Sequence, residues 1–314
     1  MKKNQLKNKK IAHGIMFHHF IGKNHSKAQG AISERQLRRI IEHYKDNLLS
    51  AQEWYNKALS NSLVPNDICL TFDDALLCQY EVAVPVLNEY KLKAFFFVYS
   101  SIFTGKIEML EVYRKFRIEC FKDIDNFYEN FFSIIDNSPY NNEVQESLKN
   151  YSHDNWKHFP FYSENDTKFR FIRDSILGTE RYQKIMDTML KAKNIDITDF
   201  SSKLWMTAEH LKKLKSDGHI IGLHSHSHPT TLSKLNFSEQ EKEYKLNFDF
   251  LHNLLGEKPQ TMSHPCNSYN SDTLKILNNL GVKVGFRANM EMGDFSKLEF
   301  PREDHANIIK EIEK

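Results

Sequence analysis

The chain has 314 residues, 40% of them apolar and 27% charged, a composition that excludes a disordered chain and predicts a soluble globular protein with a sizeable core. Its 43 basic and 41 acidic side chains leave a net charge of +2, too weak a field to steer nucleic acid or an anionic lipid surface. The cysteines at 69, 78, 120 and 266 form no C-x-x-C pair, so neither a zinc knuckle nor a disulfide framework is expected. The absence of G-x-G-x-x-G, Walker and H-E-x-x-H patterns removes the nucleotide-cofactor and zincin readings.

The basic run at residues 1–10 reads as a solvated N-terminal tail. The next stretch, IAHGIMFHHFIGKNH, carries four histidines and no uninterrupted apolar run, so no secretory signal is read and a cytoplasmic location is expected. Within it, residues 14–20 form a first strand. Two helices follow, one beginning near Ser33 with Glu34 and Gln36 in its first turn, the other opening with Ser50 and Glu53 at capping-box spacing. DICLTFDD (67–74) is a second strand, and 79–91 is a helix with Val82, Val86, Leu87 and Tyr90 on one face and a kink at Pro85. KAFFFVYS (93–100) has the continuous apolar character of a strand buried on both faces.

The βαβ alternation then breaks. Residues 104–200 read as a helical insertion in which Phe121, Ile124, Tyr128, Phe131, Phe132 and Ile135 recur at helical spacing. Such a stripe is core packing first, and it leaves open a lid or a homo-oligomer face. The alternation resumes with a helix capped by Thr207 and ended by Gly218, a strand at 219–224, and a long helix running from Ser238 and Glu241 to Gly256. A strand near 259, a helix at 271–281 and a strand from 282 complete six strands, with a seventh near 298–304. Residues 11–314 therefore read as one barrel-like α/β domain interrupted by the insertion.

Two strand ends carry chemistry. Thr71 and Asp73 share a strand face by alternation, and Asp74 falls where the strand gives way to a turn. His224, His226 and His228 follow another apolar strand. Alone, the first is an Asp-Asp turn and the second a His-rich loop. Together, at the C-terminal ends of parallel strands, they form a set in which His224, His228 and one carboxylate can hold a divalent ion while His226 points elsewhere.

TFDDA (71–75), HSHSHP (224–229) and SHPCNSYN (263–270), in this order, resemble the first three motifs of the polysaccharide deacetylase family, also called the NodB homology domain or carbohydrate esterase family four. The resemblance covers the chain outside the insertion. It implies a distorted (β/α) barrel with a metal-dependent site that removes acetyl groups from N-acetylated sugars. Matched motif by motif, it makes Asp73 the general base, and Asp74, His224 and His228 the ligands of a divalent metal, with Zn2+ first and Co2+ or Ni2+ also compatible. The backbone N–H of Cys266 becomes the oxyanion donor. The third motif departs from the family pattern: Ser263, His264, Pro265 and Cys266 stand where an arginine normally orients the base, and Arg302 is a substitute. His305, with His264 as the alternative, takes the general-acid role. His18 or His19, at the end of the first strand, is placed to contact the leaving sugar or a bridging water.

The resulting expectation is a de-N-acylase acting on a saccharide or a nucleotide- or lipid-linked sugar in surface polysaccharide biosynthesis, with neither a nucleic-acid partner nor a membrane span. Two alternatives share the barrel: hydrolysis of a cyclic amide or small N-acyl compound on the same metal site, and a catalytically silent glycan-binding protein.

Overall fold

The computed structural model describes residues 11–28, 30–153 and 163–313; the basic tail at 1–10 lies outside them. Contacts divide the chain into two compact units, one built from the chain up to Glu108 and from Ser202 onwards, the other from Met109–Ser201.

The first unit is a parallel barrel. Its strands are β1 (His13–Phe17), β2 (Ile68–Asp73), β3 (Phe95–Val98), β4 (Ile220–Leu223), β5 (Thr261–Ser263), β6 (Val284–Phe286) and β7 (Arg302–Asp304). They run in the spatial order β6-β5-β4-β3-β2-β1-β7, the sequential neighbouring that right-handed βαβ crossovers generate. Strand alternation sorts the side chains. Ile15, Phe17, Ile68, Leu70, Phe72, Phe96, Val98, Ile221, Leu223 and Met262 pack in the outer core with the helices. Cys69, Phe95, Phe97, Val284 and Phe286 fill the interior.

One end of that interior is plugged by the helix Ala51–Leu59, capped by Ser50 accepting from the Glu53 N–H. Its Trp54 ring lies 4.8 Å from Phe300 and 5.1 Å from Phe286. The plug sits at the N-terminal end of the strands, where the Ala51 N–H donates to Lys93 O just before β3, so the C-terminal end is the open mouth.

The residues just before β7 close the ring. On one side the Gly285 N–H donates to Lys297 O and the Arg287 N–H to Phe300 O; on the other the Gly14 N–H donates to Pro301 O. The approach is close enough that a Cβ on Gly285 would lie 2.3 Å from the Leu298 carbonyl oxygen.

Local signals set most helix ends. Ser33 and Gln36 form a reciprocal capping box at the start of Glu34–Tyr44, and Thr207 caps Ala208–Ser216. The long helix Phe237–Leu255 differs from expectation: its cap is Asn236, boxed with Glu239, rather than Ser238 with Glu241. Asn236 wins because its side chain reaches the Glu239 N–H from an extended backbone. The segment with Pro85 is no single helix; a π-helical stretch, Gln79–Ala83, precedes Val84–Glu89 and places the proline in its first turn, where no N–H is needed.

The second unit is helical, with an aromatic core that includes Phe116, Phe127, Phe131, Phe169 and Tyr182. In the helix Ile124–Asp136 the buried face is Phe127, Tyr128, Phe131 and Ile135. Ile124 is exposed, because Asp123 caps the helix and leaves residue 124 in its outward-facing first turn. Among the described residues no helix is long and apolar enough to cross a membrane.

Candidate active site

Asp73 ends β2 facing inward and Asp74 begins the turn beyond it. The turn is held in a strained form: Asp74 and Ala75 both adopt positive φ, 77° and 52°. Pins on either side hold it there. The Asp74 N–H donates to Phe97 O and the Met206 N–H to Ala75 O, while the buried Gln79 amide donates to the carbonyls of Asp73 and His18 at 2.6 and 2.9 Å.

The histidine segment after β4 is built in the same way, with Ser225 and His228 at φ 62° and 53°. The His224 N–H donates to Asn247 Oδ1 at 2.9 Å, and Asn247 Nδ2 donates to Val98 O. Glu243 on the same long helix accepts from the N–H groups of His226 and Ser227 and from the Ser227 hydroxyl. This scaffold turns His224 and His228 to one side. His226 is turned away, its Nδ1 2.9 Å from Ser100 Oγ.

Asp74 Oδ1 lies 3.3 Å from His224 Nε2 and 3.4 Å from His228 Nε2, and the three donor atoms all fall within 4.8 Å of one another. Bonds of about 2.0–2.2 Å to a tetrahedral ion place neighbouring ligand atoms about 3.3–3.6 Å apart, so the spacing fits a divalent cation. Two further observations agree. Asp74 Oδ1 is buried without a hydrogen-bond donor, a position that calls for a cation. His224 Nδ1 lies 2.9 Å from the Ser263 carbonyl oxygen, which assigns its proton to Nδ1 and leaves the Nε2 lone pair toward Asp74.

Asp73 belongs to a second network. Its Oδ1 accepts from Arg302 Nη1 at 2.8 Å and from Ser263 Oγ at 3.1 Å. Ser263 Oγ is also 2.8 Å from His224 Nδ1, so one hydroxyl touches both the carboxylate and an imidazole of the ligand set. Arg302 comes from β7 and is anchored by Nε donating to Arg287 O at 2.9 Å. Asp73 Oδ2 faces the mouth, 3.9 Å from His18 Nε2, which is equally 3.9 Å from Asp74 Oδ2.

The electrostatics follow from these contacts. Burial would raise the Asp73 carboxyl, but the Arg302 guanidinium and the His224 ring outweigh it and hold it below the usual range. Burial likewise opposes ionisation of Asp74, and His228 and His224 hold that carboxyl well below its ordinary value. His18 is lowered by its enclosure, which outweighs the attraction of Asp74 and Asp73.

The other expected residues separate. Of the pair at the end of β1, His18 rather than His19 reaches the carboxylates. Cys266 is exposed, at φ 49° in the single 3₁₀ turn Pro265–Asn267 that follows β5. His264 is fully buried, with its ring stacked on Tyr269 at 4.0 Å and Nε2 on Leu298 O, and burial lowers it to about 3. His305 does not join the site either. Its ring stacks on Phe17, which faces the outer core, and its nitrogens meet Met16 O and Gly30 O at 3.0 and 2.8 Å. Asn247, Gln79 and Glu243 carry no readable motif, and Ser263, although it opens the SHPCNSYN stretch, gives no sequence sign of its contacts with Asp73 and His224.

The sequence profile of the family described as polysaccharide deacetylase matches residues 61–116 and 173–285, more than half of the chain. Comparison with curated proteins found no match. Among solved structures the chain is similar to the Streptococcus pyogenes deacetylase PplD in complex with acetate, at 18% identity and a TM-score of 0.55, covering 96% of this chain and 98% of that one. It is also similar to IcaB from Ammonifex degensii, at 13% identity and a TM-score of 0.56, covering 97% and 98% of the two chains. A de-N-acetylase from Aggregatibacter actinomycetemcomitans matches at 14% identity and a TM-score of 0.56, covering 96% and 99%. At these identities the likeness to solved structures establishes the distorted (β/α) barrel fold, and the profile match establishes the family. The chain belongs to the polysaccharide deacetylase family, carbohydrate esterases that hydrolyse N-acetyl groups.

Proposed function

We propose that this protein is a metal-dependent de-N-acetylase of an N-acetylated saccharide or a nucleotide- or lipid-linked sugar, serving surface polysaccharide biosynthesis. The observation that carries the reading is the pairing of the Asp74, His224 and His228 donor set with a neighbouring carboxylate, Asp73, fixed through only one of its oxygens. A protein that merely held an ion would have no use for that second carboxylate.

When bound by Asp74, His224 and His228, a divalent ion, Zn2+ by preference and otherwise Co2+ or Ni2+, supplies Lewis acidity toward the amide carbonyl and lowers the pKa of water. Asp73 is the general base. Its Oδ1 is occupied by Arg302 and Ser263, so Oδ2 takes the proton as water attacks. The Cys266 N–H donates to the developing oxyanion. His18, 3.9 Å from Asp73, is the imidazole that would contact the leaving sugar or a bridging water, and the proton taken up by Asp73 Oδ2 is the one available to the departing amine. The acetate bound in the Streptococcus pyogenes relative supports a deacetylation product.

Two measurements test this. Elemental analysis of the purified protein should give about one divalent ion per chain, lost in Asp74→Asn and His228→Ala. Incubation with penta-N-acetylchitopentaose or a nucleotide-linked N-acetylhexosamine should release acetate, and Asp73→Asn should abolish the release while keeping the ion. A wild-type chain that takes up no added metal sinks the reading.

A further inference from the structure

Gly14 sits inside β1, directly across from Arg302 in the β1–β7 register. A glycine within a strand weakens it and calls for a reason. Backbone conformation is not that reason, because Gly14 is absent from the residues of positive φ. Space is. A Cβ at this position would meet Thr71 Cγ2 at 3.0 Å, Arg302 Cγ at 3.2 Å and Arg302 Cδ at 3.4 Å.

Neither neighbour is free to give way. Thr71 is held in its rotamer by Oγ1 donating to Ile15 O at 2.9 Å. Arg302 is fixed at its root by the strand, where the Gly14 N–H donates to Pro301 O, and at its tip by Arg287 O, Thr71 Oγ1 and Asp73 Oδ1. Only the aliphatic arm between root and tip lies against Gly14, and moving it swings the guanidinium.

We propose that Gly14 is a positioning residue for the reaction: its missing side chain is the passage through which Arg302 crosses the barrel interior to hold Asp73. The arginine that steadies the base arrives from the last strand instead of the segment after β5, and the glycine on the neighbouring strand makes that route open. Gly14 touches neither Asp73 nor a ligand of the metal set, so its effect is exerted through Arg302. The inference rests on the reading of Asp73 as base.

The test is a crystal structure of Gly14→Ala with kinetics and a double-mutant cycle against Arg302→Ala, which removes Cγ and Cδ. The Arg302 Nη1 to Asp73 Oδ1 separation should exceed 3.5 Å in Gly14→Ala. Acetate release from penta-N-acetylchitopentaose should fall at least tenfold in kcat with KM within twofold. The urea midpoint should fall further when Gly14→Ala is made in the wild type than when it is made in Arg302→Ala, where only the Thr71 contact remains. A contact still at 2.8 Å, or an equal midpoint loss in both backgrounds, overturns the proposal. Should Gly14→Ala not fold alone, its recovery in the Arg302→Ala background supports the proposal, and failure there overturns it. If the wild type releases no acetate, the deacetylase reading is at fault, while the structural and midpoint readouts still decide the role of Gly14.

Discussion

Arg302 and Asp73, 229 residues apart in sequence, meet at 2.8 Å inside the barrel, with each residue no more than 2% exposed. Breaking such a pair leaves a buried charge short of a partner, which costs far more than a surface ion pair is worth. The contact is therefore both a structural commitment and the device that leaves one carboxylate oxygen facing the mouth.

Arg302→Met should lower kcat about 10- to 100-fold with KM little changed, from the roughly 1.5–3 kcal/mol carried by a hydrogen bond to a charged group. It should also destabilise the fold by about 3 kcal/mol, because Asp73 then keeps only the Ser263 donor. Steady-state acetate release and urea denaturation measure the two effects. A variant with wild-type kcat would remove Arg302 from the machinery of the base.

Ser263 joins the two halves of the site through one hydroxyl. Ser263→Ala should weaken metal binding about tenfold, at the low end of the outer-shell range because the Ser263 carbonyl still accepts from His224. Competition with a chelating dye gives the affinity without recourse to activity, and an unchanged affinity would leave Ser263 as packing alone.

His219, at the plugged end of the barrel, is buried and accepts the Ala94 N–H on Nδ1. Burial, assisted by Lys93, lowers its pKa from 6.5 to about 4. The native ring stays neutral while the unfolded one takes a proton, so stability is full above about pH 6.5 and is lost progressively as pH falls toward about 4. Between pH 7.5 and 5 the loss from this residue is about 2 kcal/mol. His219→Asn, which keeps an acceptor for Ala94, should flatten the pH dependence of the urea midpoint by about one proton; an unaltered slope would place the titration elsewhere.

Gly285 lies where the strand that closes the barrel passes closest. Gly285→Ala would put a methyl 2.3 Å from a main-chain oxygen of Leu298, and main chain cannot swing aside as a side-chain tip can. A loss of about 3 kcal/mol in the urea midpoint, or insoluble expression, is expected. Wild-type stability would mean that the seam between β6 and the segment before β7 can open to admit a methyl group.

The strands and the two motif-bearing loops were legible because their signals are local. Six apolar runs, caps such as Ser33 and Thr207, and histidines four residues apart after a strand all sit within one window of sequence. The connections within the site were not. Ser263 meets Asp73 across 190 residues, and alternation says only that both face inward. Asn247 and Glu243 look like the polar residues of any long helix, yet each holds part of the histidine loop. His305 was read as the acid from its place late in the chain, but the register of β7 beside β1 delivers it to the outer face, against Phe17. Gly14 could not be understood at all until Arg302 was seen beside it.

The closing segment has a consequence for the order in which the site comes into being. Every residue of the Asp74, His224 and His228 donor set lies between positions 74 and 228, whereas Arg302, which holds Asp73, stands in the last barrel strand in chain order. The donor set and the partner of the neighbouring carboxylate are thus supplied by separate stretches of the chain order. On the reading of Asp73 as base, the carboxylate is steadied only once the final stave of the barrel is in place.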